Sequence, residues 1–257
     1  GTDYYLDPAY GSDGDSGLTP QTAFKSLTVG YAALESDKND VLHLIGDATS
    51  LTLSAATTRL FDWAKSYTHF VGECAPVGVG NRSRVFAAAA SVAPTMFRVS
   101  GSGCIFRNLS FFYGVDSALA LYSVEVTGGQ NYFDNVRIAG IGNDTQDVTG
   151  ASSLYLNACS ENTFYESDIG LTTIGRGTQV NTEILIAGAA LRNSFKKSRV
   201  WCRADTNTHT FVEKSGTAGL DWLMFEECKF LNISTNNAVS MLSAITMPAG
   251  TSTSLVI

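Results

Sequence analysis

Arg137 and Arg199 each lie 31 residues from Asp168, one before it and one after it, and Glu166 stands two residues before Asp168. A carboxylate between two guanidiniums is the makeup of a uronate-binding or lyase site, where arginine serves as base or substrate clamp. Glu166 and Asp168 also offer the two carboxylates that a glycoside hydrolase holds roughly 5–10 Å apart. Both chemistries meet one electrostatic objection. Neighbouring cations favour the ionised carboxylate, the opposite of what a general acid needs near neutral pH. Lys197 and Arg199 supply such cations for Glu166 and Asp168. The alternative is a ladder of alternating charges across parallel strands, stabilising as cross-strand pairs do. The expectation is therefore that the chain is not an enzyme and has no catalytic residue. Asp168, Glu166, Arg137 and Arg199 are the candidates if it is one.

Other clusters are weaker. Asp13 and Asp15, with Asp3 and Asp7 nearby, are oxygen donors that suit Ca²⁺, but they lack the EF-hand spacing and its closing glutamate, so a polar turn is expected and no metal or cofactor is assigned. His43, His69 and His209 are far apart, and none precedes a nucleophile elbow. His43, in the apolar run Val41 to Ile45, reads as a core or turn histidine. Cys74, Cys104, Cys159, Cys202 and Cys228 show no CxxC pair and read as small buried hydrophobes. Trp63, Trp201, Trp222, Tyr10, Tyr67, Tyr113, Tyr122 and Tyr132 are candidates for a glycan-stacking or protein-binding face, with Tyr113 and Trp201 on a shared edge.

These positions are spaced by a repeat. Nearly the same phrase recurs around Phe106, Phe133, Phe164, Phe195 and Phe225, at intervals of 27, 31, 31 and 30 residues. Apolar residues follow the phenylalanine at three and five positions later: Leu109/Phe111, Val136/Ile138, then Ile169, Val200 and Phe230. A second alternation precedes it, in Phe97/Val99, Val124/Val126, Leu154/Leu156 and Ile184/Ile186. Both have strand period. Two polar residues in place of one break the alternation after the phenylalanine, and Asn108 and Asn135 suit a left-handed bend there. Units of about 30 residues, too short for propeller blades, predict an all-β fold: a right-handed single-stranded parallel β-helix of about six coils, stacked about 4.8 Å apart.

Residues 1–40 differ. Tyr4 to Asp7 reads as a strand, Gly11 to Gly17 as a tight loop and Thr22 to Leu34 as an amphipathic helix through Phe24, Leu27, Tyr31 and Leu34. This segment is expected to cap the first coil, with residues 41–257 forming one continuous β-helical domain. Gly1 without a preceding Met, and Leu255-Val256-Ile257 as half a strand after the Gly250 to Ser254 turn, lead us to expect incomplete ends. The formal charge of −7 argues against nucleic acid as partner, and no apolar run reaches the roughly 18 residues of a membrane span.

Tyr4-Tyr5-Leu6-Asp7-Pro8, then Gly11-Ser12-Asp13, Gly17-Leu18-Thr19-Pro20 and Thr22-Ala23-Phe24-Lys25-Ser26-Leu27, resemble the opening segment of pectate-lyase-like β-helix proteins, including many bacteriophage virion proteins. Gly72 to Pro76 and Ser100 to Phe106 resemble phage structural modules close to the major capsid protein. The resemblance implies a virion structural protein, a capsid decoration or auxiliary protein on the capsid exterior, with the major capsid protein or other virion proteins as partners and a homo-oligomer such as a trimer. The alternatives it leaves are a tail-spike or secreted polysaccharide lyase or hydrolase, and a non-catalytic glycan-binding adhesin.

Overall fold

The computed structural model describes residues 1–257 except 48, 55–57, 76, 78, 79, 178, 207, 235–240, 251 and 252. The chain winds as a right-handed parallel β-helix with three sheets of nine, seven and seven strands. Seven coils are present rather than six, because two coils precede the repeated phrase: their column residues are Leu42, which pairs with Phe70, and Phe70, which pairs with Phe106. Each coil gives one short strand to each sheet, as in Ile105–Arg107, Ser110–Phe112 and Tyr122–Val126.

The two apolar alternations fall in register. Phe106, Phe133, Phe164, Phe195 and Phe225 pair coil to coil in the first sheet, Phe111, Ile138, Ile169, Val200 and Phe230 in the second, and Phe97, Val124, Leu154 and Ile184 in the third. The five phenylalanine rings form one stack, with centroids 4.9, 4.5, 4.8 and 4.9 Å apart. Coil spacing sets ring spacing, so burial and stacking reinforce each other at every coil.

Between the first and second sheets the chain turns in two residues in each of the last five coils. Asn108 and Asn135 have φ of 56° and 50°, as the broken alternation predicts, and Glu166, Lys197 and Glu227 take the same left-handed conformation. A second corner, before the first sheet, holds a ladder of buried asparagines. Asn131 Oδ1 accepts from the Cys104 amide, Asn162 Oδ1 from the Asn131 amide and Asn193 Oδ1 from the Asn162 amide. Each carboxamide satisfies backbone donors that a bare corner would leave buried and unpaired.

At the N-terminal end, Asp3–Leu6 extends the first sheet. The helix is shorter than predicted, Leu27–Ala33, because the preceding residues are held extended: Phe24 bridges to Leu6, and the Asp13 carboxylate accepts from the Lys25 and Ser26 amides. Ser26 caps the helix by accepting from the Val29 amide. Lys65 Nζ donates to the carbonyls of Tyr31, Ala32 and Leu34 at its other end, where a cation is favoured. Gly30 lets the helix lie close on the first coil, since a Cβ there would meet Leu42 at 3.0 Å.

At the far end, Thr253–Val256 pairs with Asp221–Met224, the strand expected around Leu255. Part of the turn from Gly250 to Ser254, and Pro76, lie outside the described residues.

A cationic groove as the candidate functional site

The outward row of the second sheet runs Ser110, Arg137, Asp168, Arg199, Lys229, each paired with the next. Asp168 is only 2% exposed. Its two oxygens accept from Arg199 Nε at 2.5 Å and Nη2 at 2.6 Å, a two-pronged clamp that fixes the carboxylate. The same hydrogen bonding raises the Arg199 pKa against the opposing effect of burial, and the guanidinium lies over Trp201, 5.0 Å from its centroid. For Arg137, burial lowers the pKa, Asp168 partly restores it and Arg84 lowers it again.

Glu166 occupies the left-handed corner, exposed, whereas Asp168 is enclosed beneath Arg199. The two do not present a common solvent-facing pair. The corner makes a testable distinction. Glu166→Gly removes the Cβ that disfavours φ of 46° and is expected to change stability by less than ~1 kcal/mol. Glu166→Val is expected to cost ~1–2 kcal/mol, both read by chemical denaturation.

The other outward row of the first sheet also pairs off. Arg107 bonds Asp134 at 2.8 Å and Lys196 bonds Glu226 at 3.0 Å, the alternating ladder expected from the sequence.

Towards the N-terminal end the second sheet opens into a groove of about 660 Å³. Arg84 continues the Asp168 row, pairing with Ser110, and Phe86 and Phe112 form the next outward row with rings 5.8 Å apart and parallel to within 1°. Arg82 and Asn81 stand on one wall and Leu171 and Thr173 on another, and no Asp or Glu is among the lining residues. The sequence repeat missed Arg84 because ten residues separate Glu73 from Arg84, against two between the corresponding strands of the five later coils. The signal was present: Arg84-Val85-Phe86 alternates as Ser110-Phe111-Phe112 does.

A buried ionic cluster fills the corner between the second and third sheets. Arg176, Glu183 and His209 are all at 0% exposure. Arg176 Nη2 bonds Glu183 Oε1 at 2.9 Å, Ser153 donates to Glu183 Oε2 at 2.5 Å, and His209 Nε2 lies 3.5 Å from Glu183 Oε1. Burial pushes the Glu183 carboxyl up, but Arg176 and the neighbouring donors outweigh it and hold it below the usual glutamate range. Arg176 also donates to the Ile141 and Ile174 carbonyls. No surface reaches this cluster, so its chemistry is structural.

The remaining candidates disperse. Asp13 binds backbone amides, and hydrogen bonds from Ser26 and Lys25 outweigh burial and hold its pKa low; Asp7 accepts from the Ala9 and Tyr10 amides, and Asp3 faces His43. Among the described residues no group of three or more His, Cys, Asp or Glu could hold a metal ion, and Asp15 joins none. His43 is neither core nor turn. It points outward between Glu73 and Asp3, at 2.6 and 3.0 Å, because Leu42 and Leu44 take the inward positions of its strand. Trp63 and Tyr113 are buried, and Tyr113 donates to the Ala93 carbonyl; Tyr113 therefore shares no outer edge with Trp201. All five cysteines are free, three of them buried and Cys74 and Cys228 partly exposed.

No protein-family model matches the chain, and no curated protein matches it in sequence. Among solved structures it is similar to pectate lyase Pel9A, with a TM-score of 0.62 and 15% identity over 93% of this chain and 57% of that one. It is also similar to a rhamnogalacturonan lyase, with a TM-score of 0.53 and 14% identity over 90% of this chain and 63% of that one. The Geobacillus virus E2 ORF18 protein aligns at a TM-score of 0.31 and 12% identity, over 94% of this chain and 62% of that one, too distant to carry an argument. The chain thus spans less than two-thirds of the length of either lyase. These likenesses establish a pectate-lyase-like parallel β-helix.

Proposed function

We propose that this chain is a non-enzymatic structural β-helix of a bacteriophage virion, a decoration or auxiliary protein on the capsid exterior that acts by protein–protein contact. The observation that carries the non-enzymatic part is the state of Asp168, the acid between Arg137 and Arg199: it is enclosed and both its oxygens are committed to Arg199. A rigid stack whose outward charges are paired coil to coil suits a component that bridges a shell. The virion setting rests on the opening segment from Tyr4 to Leu27 and on Ser100 to Phe106.

The experiment is imaging of labelled copies on purified particles. Copies spread over the shell are the expected result; a few copies confined to the tail would replace decoration with receptor binding or depolymerisation.

A second reading, a tail-spike or secreted polysaccharide-active protein or a glycan-binding adhesin, is favoured by the Arg82, Arg84 and Arg137 groove and by the fold shared with two proteins that are lyases by name. Incubation with host capsule or polygalacturonate separates the two. Shortened chains, abolished by Asp168→Asn, would overturn the non-enzymatic assignment.

A further inference from the structure

The groove on the second sheet has an unusual balance of donors and acceptors. Three guanidiniums line it, and no carboxylate does. Arg82 is exposed and has no ion-pair partner among the described residues. Arg84 Nε donates to the Ser50 hydroxyl, which uses one of the few acceptors available. The side chain of Asn81 is already committed: its oxygen accepts from the Ser83 amide and its nitrogen donates to Asn108 Oδ1. A ligand rich in hydroxyl donors would find the hydroxyls of Thr52, Ser110 and Thr173 to accept them, but no carboxylate. A ligand rich in acceptors and negative charge would find forked donors that match carboxylates two-pronged.

The second component is apolar. Arg84, Ser110 and Arg137 form one row along the axis, and Phe86 and Phe112 form the adjacent row, with parallel rings partly open to solvent. An extended polypeptide running along that axis sends successive side chains to opposite sides. Acids on one side and apolar residues on the other would match both rows at once. At about 660 Å³, the groove holds several side chains rather than one small anion.

We propose that this groove is a docking site for an acidic, extended segment of a partner protein, with carboxylates on Arg82 and Arg84 and an apolar side chain against Phe86 and Phe112. The proposal gives chemistry to the partner in the protein-contact reading above, and rests on that reading only for the partner being a protein.

The test is fluorescence anisotropy with a labelled peptide alternating glutamate and leucine, on the intact chain, with unlabelled oligogalacturonate and inorganic sulfate as competitors. Saturable binding is expected, weakened about tenfold or more by Arg82→Glu, as for loss of a charge-assisted contact, and several-fold by Phe86→Ala. Arg107→Ala, on the first sheet, is expected to leave it unchanged. Arg82 is an exposed side chain, so its variant retains the fold, which circular dichroism checks. Absence of binding, or equal binding by the Arg82→Glu variant, overturns the proposal. Tighter binding of oligogalacturonate than peptide overturns it in favour of a glycan, and displacement by millimolar sulfate alone reduces the site to a simple anion pocket and overturns it as well. Particle imaging is independent: tail localisation with specific peptide binding would sink the capsid assignment and leave the groove intact.

Discussion

Arg176→Met is expected to destabilise the chain by about 3–5 kcal/mol, among the largest effects of any single substitution. The guanidinium and its partner Glu183 are both at 0% exposure, so removing the cation leaves the carboxylate enclosed with only Ser153 and His209 beside it. Arg176 also donates to three carbonyls, of Ile141, Ile174 and Leu171, that would lose this donor. The pair itself need not be strongly stabilising, because both ions gave up water to form it. The double substitution Arg176→Met with Glu183→Leu is therefore expected to recover much of the loss. Denaturant unfolding of the two single variants and the double variant decides this; a loss below ~1 kcal/mol for Arg176→Met would contradict the burial argument.

The same cluster gives acid sensitivity a sign. The folded-state pKa of Glu183 is held below its ordinary 4.5. Its contribution is thus fully present above the unfolded value and is lost as pH falls through the folded one. In the Arg176→Met variant this part of the acid dependence below about pH 4.5 is expected to shrink, since the cation that lowers the carboxyl is gone.

Phe164→Ala is expected to cost a similar ~3–5 kcal/mol. Its ring is fully enclosed, 4.5 Å from Phe133 and 4.8 Å from Phe195, so truncation opens a cavity mid-stack and breaks two ring contacts. Phe225, the last ring of the stack, stacks on Phe195 and meets partly exposed Phe230 of its own coil edge-on. Phe225→Ala is expected to cost less. Hydrogen exchange adds a spatial test. Because each coil contacts chiefly its neighbours, protection should fall first in the strands Tyr132–Asp134, Thr163–Tyr165 and Asn193–Lys196. Uniform loss over all seven coils would show that the stack unfolds as one unit instead.

The register was legible to an unusual degree because a stacked coil copies its own geometry. Once Phe106 and Phe133 are aligned, Arg137 must meet Asp168, and Asp168 must meet Arg199. The left-handed corner at Asn108 and Asn135 was legible for the same reason. At that corner, Glu166, Lys197 and Glu227 adopt the conformation without a residue type that announces it, since the stack imposes what it had favoured in the first asparagines.

The sequence by itself determined the β-helical class, the inward columns and the alternation of charge on two outward rows. These are periodic quantities, and periodicity survives in one dimension. Only the tertiary structure decided that Asp168 gives both oxygens to Arg199, that Arg82 and Arg84 line one groove with Phe112, and that Arg176 reaches Glu183 and His209 from the segment between two strands. The first is a choice of side-chain geometry within paired strands, and the other two depend on the path of irregular segments between strands. Such loops break the period that made the rest readable, and the chemistry of this chain sits where the period is broken.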